Sequence, residues 1–149
     1  MRTAMMSNSD THGVARTASR GLNMTLWVLQ ALLAALFFWH GQFSIFPPAD
    51  MVDMINANIG EELRVFVGVA EILAAIGLIL PGLTRILPRL TALAAAGLMI
   101  VMSSASVFHL FRGETASAIS AFVIFLLVTV VAYTRWKVAP ITARHFARV

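Results

Sequence analysis

Glu71 is the residue in this chain that most needs a chemical explanation. It stands inside residues 65–80, a run with no other charged side chain. A carboxylate in such a run costs a few kcal/mol in a membrane unless it is paired, so it marks a functional site by default. His40 and His109 stand at the ends of two further apolar runs. Ser106 and Ser103 precede His109 at steps of three, on one helical face. Gln30 lies in the middle of another run. Carboxylate, imidazole, hydroxyl and amide groups among apolar helices suit a polar pocket. Such a pocket holds the head of a lipid-soluble molecule or relays a proton. The competing reading makes Glu71 and the serines interhelical glue and the histidines interfacial residues. His12 and His145 lie in the terminal segments and are expected to be inert.

Four helices must position these groups. The 149 residues have a mean hydropathy of +0.83, and 12% are charged, about half the roughly 25% of a soluble domain. The apolar residues fall in blocks near 22–38, 65–80, 90–111 and 116–133. Each approaches or reaches the ~17–25 residues that cross a hydrocarbon core. The expected fold is all-α, an integral membrane four-helix bundle. The second span is the shortest. It becomes adequate if its helix begins near Glu61 and Arg64 snorkels to the headgroups. Pro81 and Gly82 are expected to stop it, and Pro88 to help start the third. Residues 1–20 read as a disordered tail, 21–137 as the transmembrane domain and 138–149 as a basic tail. The first apolar run is long for a signal peptide. It ends in Phe37-Phe38-Trp39-His40 without a small-residue cleavage site, so it reads as a retained helix.

Basic residues set the orientation. Arg2, Arg16, Arg20, Arg85, Arg89, Arg135, Lys137, Arg144 and Arg148 fall on one side, and Arg64 and Arg112 on the other. The positive-inside rule puts both termini in the cytoplasm. Trp27, Tyr133 and Trp136 then form an inner aromatic belt, and Trp39 marks the outer interface. In the outer loop, Pro47-Pro48 breaks the chain. Met51, Met54 and Ile55 then recur at helical spacing with Asp50 and Asp53 off the stripe. This predicts a short interfacial helix. With this topology His40 and His109 both end at the outer side, and Glu71 lies roughly 9 Å below it at 1.5 Å per residue. The pocket is expected to open outward. Glu71 is expected to point into the bundle and meet a polar group on the first or third span, with Ser103, Ser106, His109 and Gln30 as candidates. Gly68 and Ala75 on its face let a neighbouring helix approach.

Several chemistries are excluded. The chain has no cysteine, so it cannot shuttle disulfides or bind metal through thiolate. Its net charge of +4 comes from residues flanking apolar blocks, which indicates membrane topology and not nucleic acid. His40 and His109 are too superficial and lack the second pair a haem centre would want. The small multidrug exporters carry their essential glutamate in the first helix and have weak charge bias, unlike this chain. No metal site is expected.

The residues also resemble a family. Residues 63–81, LRVFVGVAEILAAIGLILP, resemble the second-helix motif of the DoxX-like membrane proteins. Residues 105–114, ASVFHLFRGE, resemble the end of the third helix, and residues 26–34, LWVLQALLA, the first. The paired Gly-x-x-Glu and His-x-x-x-Gly-Glu patterns carry the resemblance, which covers roughly residues 23–136. In one place the chain departs from the pattern: Ser44 stands where the family has a lysine, three residues after Gly41. The resemblance implies a bacterial inner-membrane bundle and makes Glu71, His109 and Glu114 the positions of interest. It implies a membrane subunit or accessory factor of a redox system, with quinone as a possible ligand and another membrane protein or a second copy as partner. A partner would carry the electrons, since the chain shows no flavin or iron–sulfur motif. Two other readings stay open: a non-redox structural or assembly subunit, and a binder of a small lipophilic molecule.

Overall fold

The computed structural model describes the backbone of residues 8–143 and the side chains of residues 20–143. His145, the side chain of His12 and the ends of both tails lie outside them. The helices are α1 (Asn8–Ile45), α2 (Val52–Ile59), α3 (Glu61–Thr84), α4 (Arg89–Phe111) and α5 (Thr115–Tyr133), and α5 continues into a π-helical turn, Thr134–Val138. Helix α1 begins at Asn8, inside the stretch that composition assigns to a tail. Four stretches are long and apolar enough to cross a membrane: Arg20–Ile45, Glu61–Thr84, Arg89–Phe111 and Thr115–Val138. Each takes in the expected apolar block and runs beyond it at one or both ends.

The chain is a multi-pass membrane protein, and its surface shows why. Phe111 is 89% exposed and Trp39 74%. Leu32, Phe66, Leu73 and Ile100 are exposed along the spans. Apolar surface of that extent is rare on a soluble monomer and normal against lipid. Inside, Leu33, Phe37, Ala75, Leu78, Ala95, Leu98, Met102, Val128 and Val131 form one core. Helix α1 packs on α3, α3 on α4 and α4 on α5, while α1 and α5 touch only slightly. The short α3–α4 and α4–α5 connections make these pairs antiparallel. One end of the bundle carries α2 and the α4–α5 turn, and is called the α2 end below. The other carries Arg20, Arg85, Arg89 and Arg135, and is called the arginine end.

Small residues set the helix spacing. A Cβ on Gly77 would fall 2.7 Å from the Ala94 Cβ, so α3 and α4 are in close contact there. Gly41 and Gly68 do the same for α1 and α3.

Three expectations need correction. Pro81 and Gly82 do not stop α3, which runs to Thr84 and ends on Arg85 in the left-handed conformation, φ 58°. In a membrane helix, neighbouring helices compensate for the N–H that proline lacks. Here the Gln30 amide donates to the Leu78 carbonyl at 2.6 Å, close to the interrupted bond. Arg64 does not snorkel: it is 5% exposed. Its guanidinium donates to the Ser44 and Ile45 carbonyls and, at 2.9 Å, to Asn56 Oδ1. It caps the C-terminus of α1, where unpaired carbonyls and the helix dipole favour a cation. The predicted interfacial helix is present as α2 and packs on α3, with one member of its stripe misplaced. Met51 and Ile55 are partly covered as expected, together with Val52 and Ile59, but Met54 is 57% exposed.

Candidate functional site

Glu71 sits ten residues into α3, on the face that also carries Arg64, Gly68, Ala75 and Leu78, all buried. It is 1% exposed. The absence of a side chain at Gly41 and Gly68 brings α1 against this face, one residue from His40 and one turn from Glu71. His40 Nδ1 then lies 2.6 Å from Glu71 Oε2. The His40 side chain is 57% exposed, so one partner of the pair is enclosed and the other faces outward. Glu71 Oε1 is buried without a hydrogen-bond partner among the described residues. The expected inward orientation of Glu71 and its polar contact with the first span are both present. The partner is His40, however, and none of Ser103, Ser106, His109 and Gln30.

The remaining candidates do not join this pair. His109 Nδ1 lies 2.6 Å from Glu114 Oε2, and Arg112 Nε donates to Glu114 Oε1 at 2.8 Å. Gly113, at φ 73°, makes the reversal that returns Glu114 toward His109. The Arg112 and His109 hydrogen bonds hold the Glu114 carboxyl below the usual carboxylate range. This is a second, surface cluster on the α4–α5 turn. Ser103 and Ser106 form no ladder toward Glu71. They bond their own helix, at the Ile100 and Met102 carbonyls, as serines in membrane helices do when no partner is near.

Gln30 belongs to a third cluster, near the arginine end. Its Oε1 accepts from Arg135 Nε at 2.6 Å, and Arg135 Nη1 donates to Asn23 Oδ1 at 2.6 Å and to the Ala139 carbonyl. The Arg135 guanidinium lies 5.4 Å from the Trp27 ring centroid, within cation–π range. Trp27 is therefore partly covered, packed on Arg135 and Gly82. Tyr133 and Trp136 are exposed as expected. Sequence reasoning counted Arg135 only as a topology charge. Asn23, Trp27 and Gln30 at i, i+4 and i+7 signal a polar stripe on α1 awaiting a cation.

Among the described residues, no group of three histidine, aspartate or glutamate side chains could hold a metal ion. Glu71 and His40 form a titratable pair next to the apolar interior, with Glu71 fixing which imidazole nitrogen faces outward.

A family model described as the DoxX-like family matches residues 28–132. No curated protein and no solved structure matches.

Proposed function

The chain belongs to the DoxX-like family, and from that premise and the His40–Glu71 geometry we propose that it is a membrane subunit of a redox system that presents a carboxylate–imidazole pair to a quinone-type headgroup. One observation carries the reading: a buried carboxylate holds one nitrogen of an imidazole whose other side is exposed. With Nδ1 committed to Glu71, Nε2 is the atom left for a ligand hydroxyl or carbonyl. It has no hydrogen-bond partner among the described residues. A proton accepted at Nε2 is stabilised by the Glu71 carboxylate behind the ring. The residues fit a neutral, lipophilic headgroup: the site lies within a span, and Leu36, Phe38, Trp39 and Leu73, its neighbours in sequence on α1 and α3, are exposed and apolar. A quinone supplies the two-electron chemistry when bound. The chain's own residues bind it and move the proton, and a partner protein supplies the electron carrier.

The pure helix-pinning reading of Glu71 is weaker because α1 and α3 are already held beside it. Gly41 and Gly68 interlock, and Arg64 ties the end of α1 to α3. The test is binding of a short-chain quinone to the full chain in lipid nanodiscs, read by quenching of tryptophan fluorescence, to which the exposed Trp39 beside the site contributes. Saturable quenching in the wild type, lost in His40→Ala, supports the proposal. Absence of binding together with stable co-purification in a larger complex would favour the assembly role.

A further inference from the structure

At the opposite end of the bundle, Arg135 is buried, 5% exposed, in the π-helical turn that extends α5. π-helical turns are rare and frequent at functional sites. Burying a guanidinium is costly unless it meets an opposite charge. The partners of Arg135 are all neutral: Gln30, Asn23, the Ala139 carbonyl and the Trp27 ring. Its Nη2 has no hydrogen-bond partner among the described residues. The acidic residues with described side chains are Asp50, Asp53, Glu61, Glu62, Glu71 and Glu114. The first five lie between the α1–α3 connection and mid-α3, and Glu114 is on the α4–α5 turn. None is at the arginine end.

Asn23, Trp27 and Ala139, which hold Arg135 from one side, form the wall of a cleft of about 570 Å³ on the other. Its rim carries two more cations, Arg20 and Arg85, both exposed. Gly82, Leu83, Pro140, Ile141 and Thr142 complete the lining, and Leu83 is 65% exposed on the outer face of α3. The cleft is thus cationic at its mouth, backed by an uncompensated buried charge, and continuous with surface that meets acyl chains. A soluble anion has no use for that apolar flank, whereas a phospholipid does.

We propose that this cleft binds the phosphate of an anionic phospholipid headgroup, with Arg20 and Arg85 contacting it and Arg135 supplying charge from behind the Asn23–Trp27 wall. The bound lipid complements the charge of the arginine end and fastens α1, the end of α3 and the segment after α5 to one headgroup. This site is independent of the His40–Glu71 pair.

The test is native mass spectrometry of the full chain in mild detergent with phosphatidylglycerol, phosphatidylcholine or inorganic phosphate added. The wild type should retain phosphatidylglycerol in preference to phosphatidylcholine. Arg20→Gln and Arg85→Gln should each weaken retention about fivefold, and together about thirtyfold. Both side chains are exposed, so the fold should survive, and thermal unfolding checks that it does. Arg112→Gln at the α2 end should leave retention unchanged. Equal retention of phosphatidylcholine, or undiminished phosphatidylglycerol retention in the double variant, would overturn the proposal. So would displacement of the lipid by millimolar inorganic phosphate, which would make the site one for the free anion.

Discussion

Gly41 and Gly68 face each other across the α1–α3 contact, backbone close to backbone. A Cβ on Gly68 would fall 2.9 Å from the Gly41 carbonyl oxygen, and one on Gly41 would fall 2.7 Å from that of Gly68. Isoleucine side chains lie as near, at Ile72 and Ile45, but the backbone oxygens cannot swing aside. Gly68→Val should therefore cost about 1–3 kcal/mol through overpacking and pull His40 away from Glu71. Gly97 is the control: a Cβ there meets nothing within 4 Å, and Gly97→Ala should change stability by no more than about 1 kcal/mol. Thermal unfolding in detergent checks both. A Gly68→Val protein as stable as the wild type would show that α1 and α3 do not need this contact.

The same contact explains what could be read from the sequence. Continuous apolar blocks of this length announce helices, because a membrane β-strand is shorter and alternates apolar with polar residues, so the four spans and the all-α bundle are legible. Pairing between helices depends on register, which hydropathy does not encode. Depth alone placed His109, Ser106 and Ser103 near Glu71. Small residues carry register information: His40 adjoins Gly41, Glu71 follows Gly68 by one turn, and matching the two glycines brings the pair together. Arg135 was read as a tail charge because the apolar block ends at Tyr133, while the helix continues as a π turn. Arg64 reads as snorkelling because nothing local marks the end of α1 as its partner. On α2 only Met54 departs from the expected stripe: it is as apolar as Ile59, and packing on α3 alone decides which is covered.

Glu114 offers a pH test outside the membrane spans. Arg112 first, and His109 second, lower its pKa. A group whose pKa is depressed on folding contributes stability that is fully present above the ordinary carboxylate pKa. That contribution is lost as pH falls through the depressed value. The α4–α5 turn should thus hold its geometry through mildly acidic pH and loosen only below the ordinary carboxylate range. Carbon-detected NMR titration of the Glu114 carboxyl should give a midpoint below that of a free glutamate. Arg112→Gln should raise it more than His109→Gln does. An unchanged midpoint in Arg112→Gln would refute the assignment of cause.

Gln30 joins two elements through one amide. It accepts from Arg135 Nε and donates to the Leu78 carbonyl, and it is fully buried. Gln30→Leu fits the volume but strands a buried guanidinium nitrogen, at a cost of about 3 kcal/mol. Gln30→Glu keeps an acceptor for Arg135 and loses only the bond to Leu78, so it should be the milder change. Comparing the two unfolding midpoints tests this order. Equal losses would mean that the Leu78 bond, and not the Arg135 bond, dominates.

Ser103 and Ser106 bond their own helix backbone. Ser103→Ala and Ser106→Ala should each shift stability by less than about 0.5 kcal/mol and leave ligand binding at His40 unchanged. A large loss of binding in either variant would restore the single pocket that includes them.

The last prediction separates function from scaffolding at Glu71. Replacing it by glutamine keeps a hydrogen-bonding group of the same size next to His40 Nδ1 and removes the charge. Because the imidazole is 57% exposed, loss of its charged partner strands no buried cation. Nearby, the Gly41–Gly68 contact and the Arg64 cap continue to hold α1 on α3. Glu71→Gln should therefore unfold within a few degrees of the wild type, a shift of about 1 kcal/mol or less. Quinone binding in that variant should weaken by about tenfold or more, as expected when a charge-assisted hydrogen bond behind the binding group becomes a neutral one. Glu71→Leu also removes the hydrogen bond, and it should bind no better than Glu71→Gln while remaining folded, since an apolar side chain is at home in this core. Paired measurements of unfolding temperature and tryptophan quenching on both variants distinguish the two roles. If both variants fold and bind as the wild type does, Glu71 is not part of the site. If both unfold readily, the carboxylate serves the fold, and the His40–Glu71 pair is a structural tie between α1 and α3.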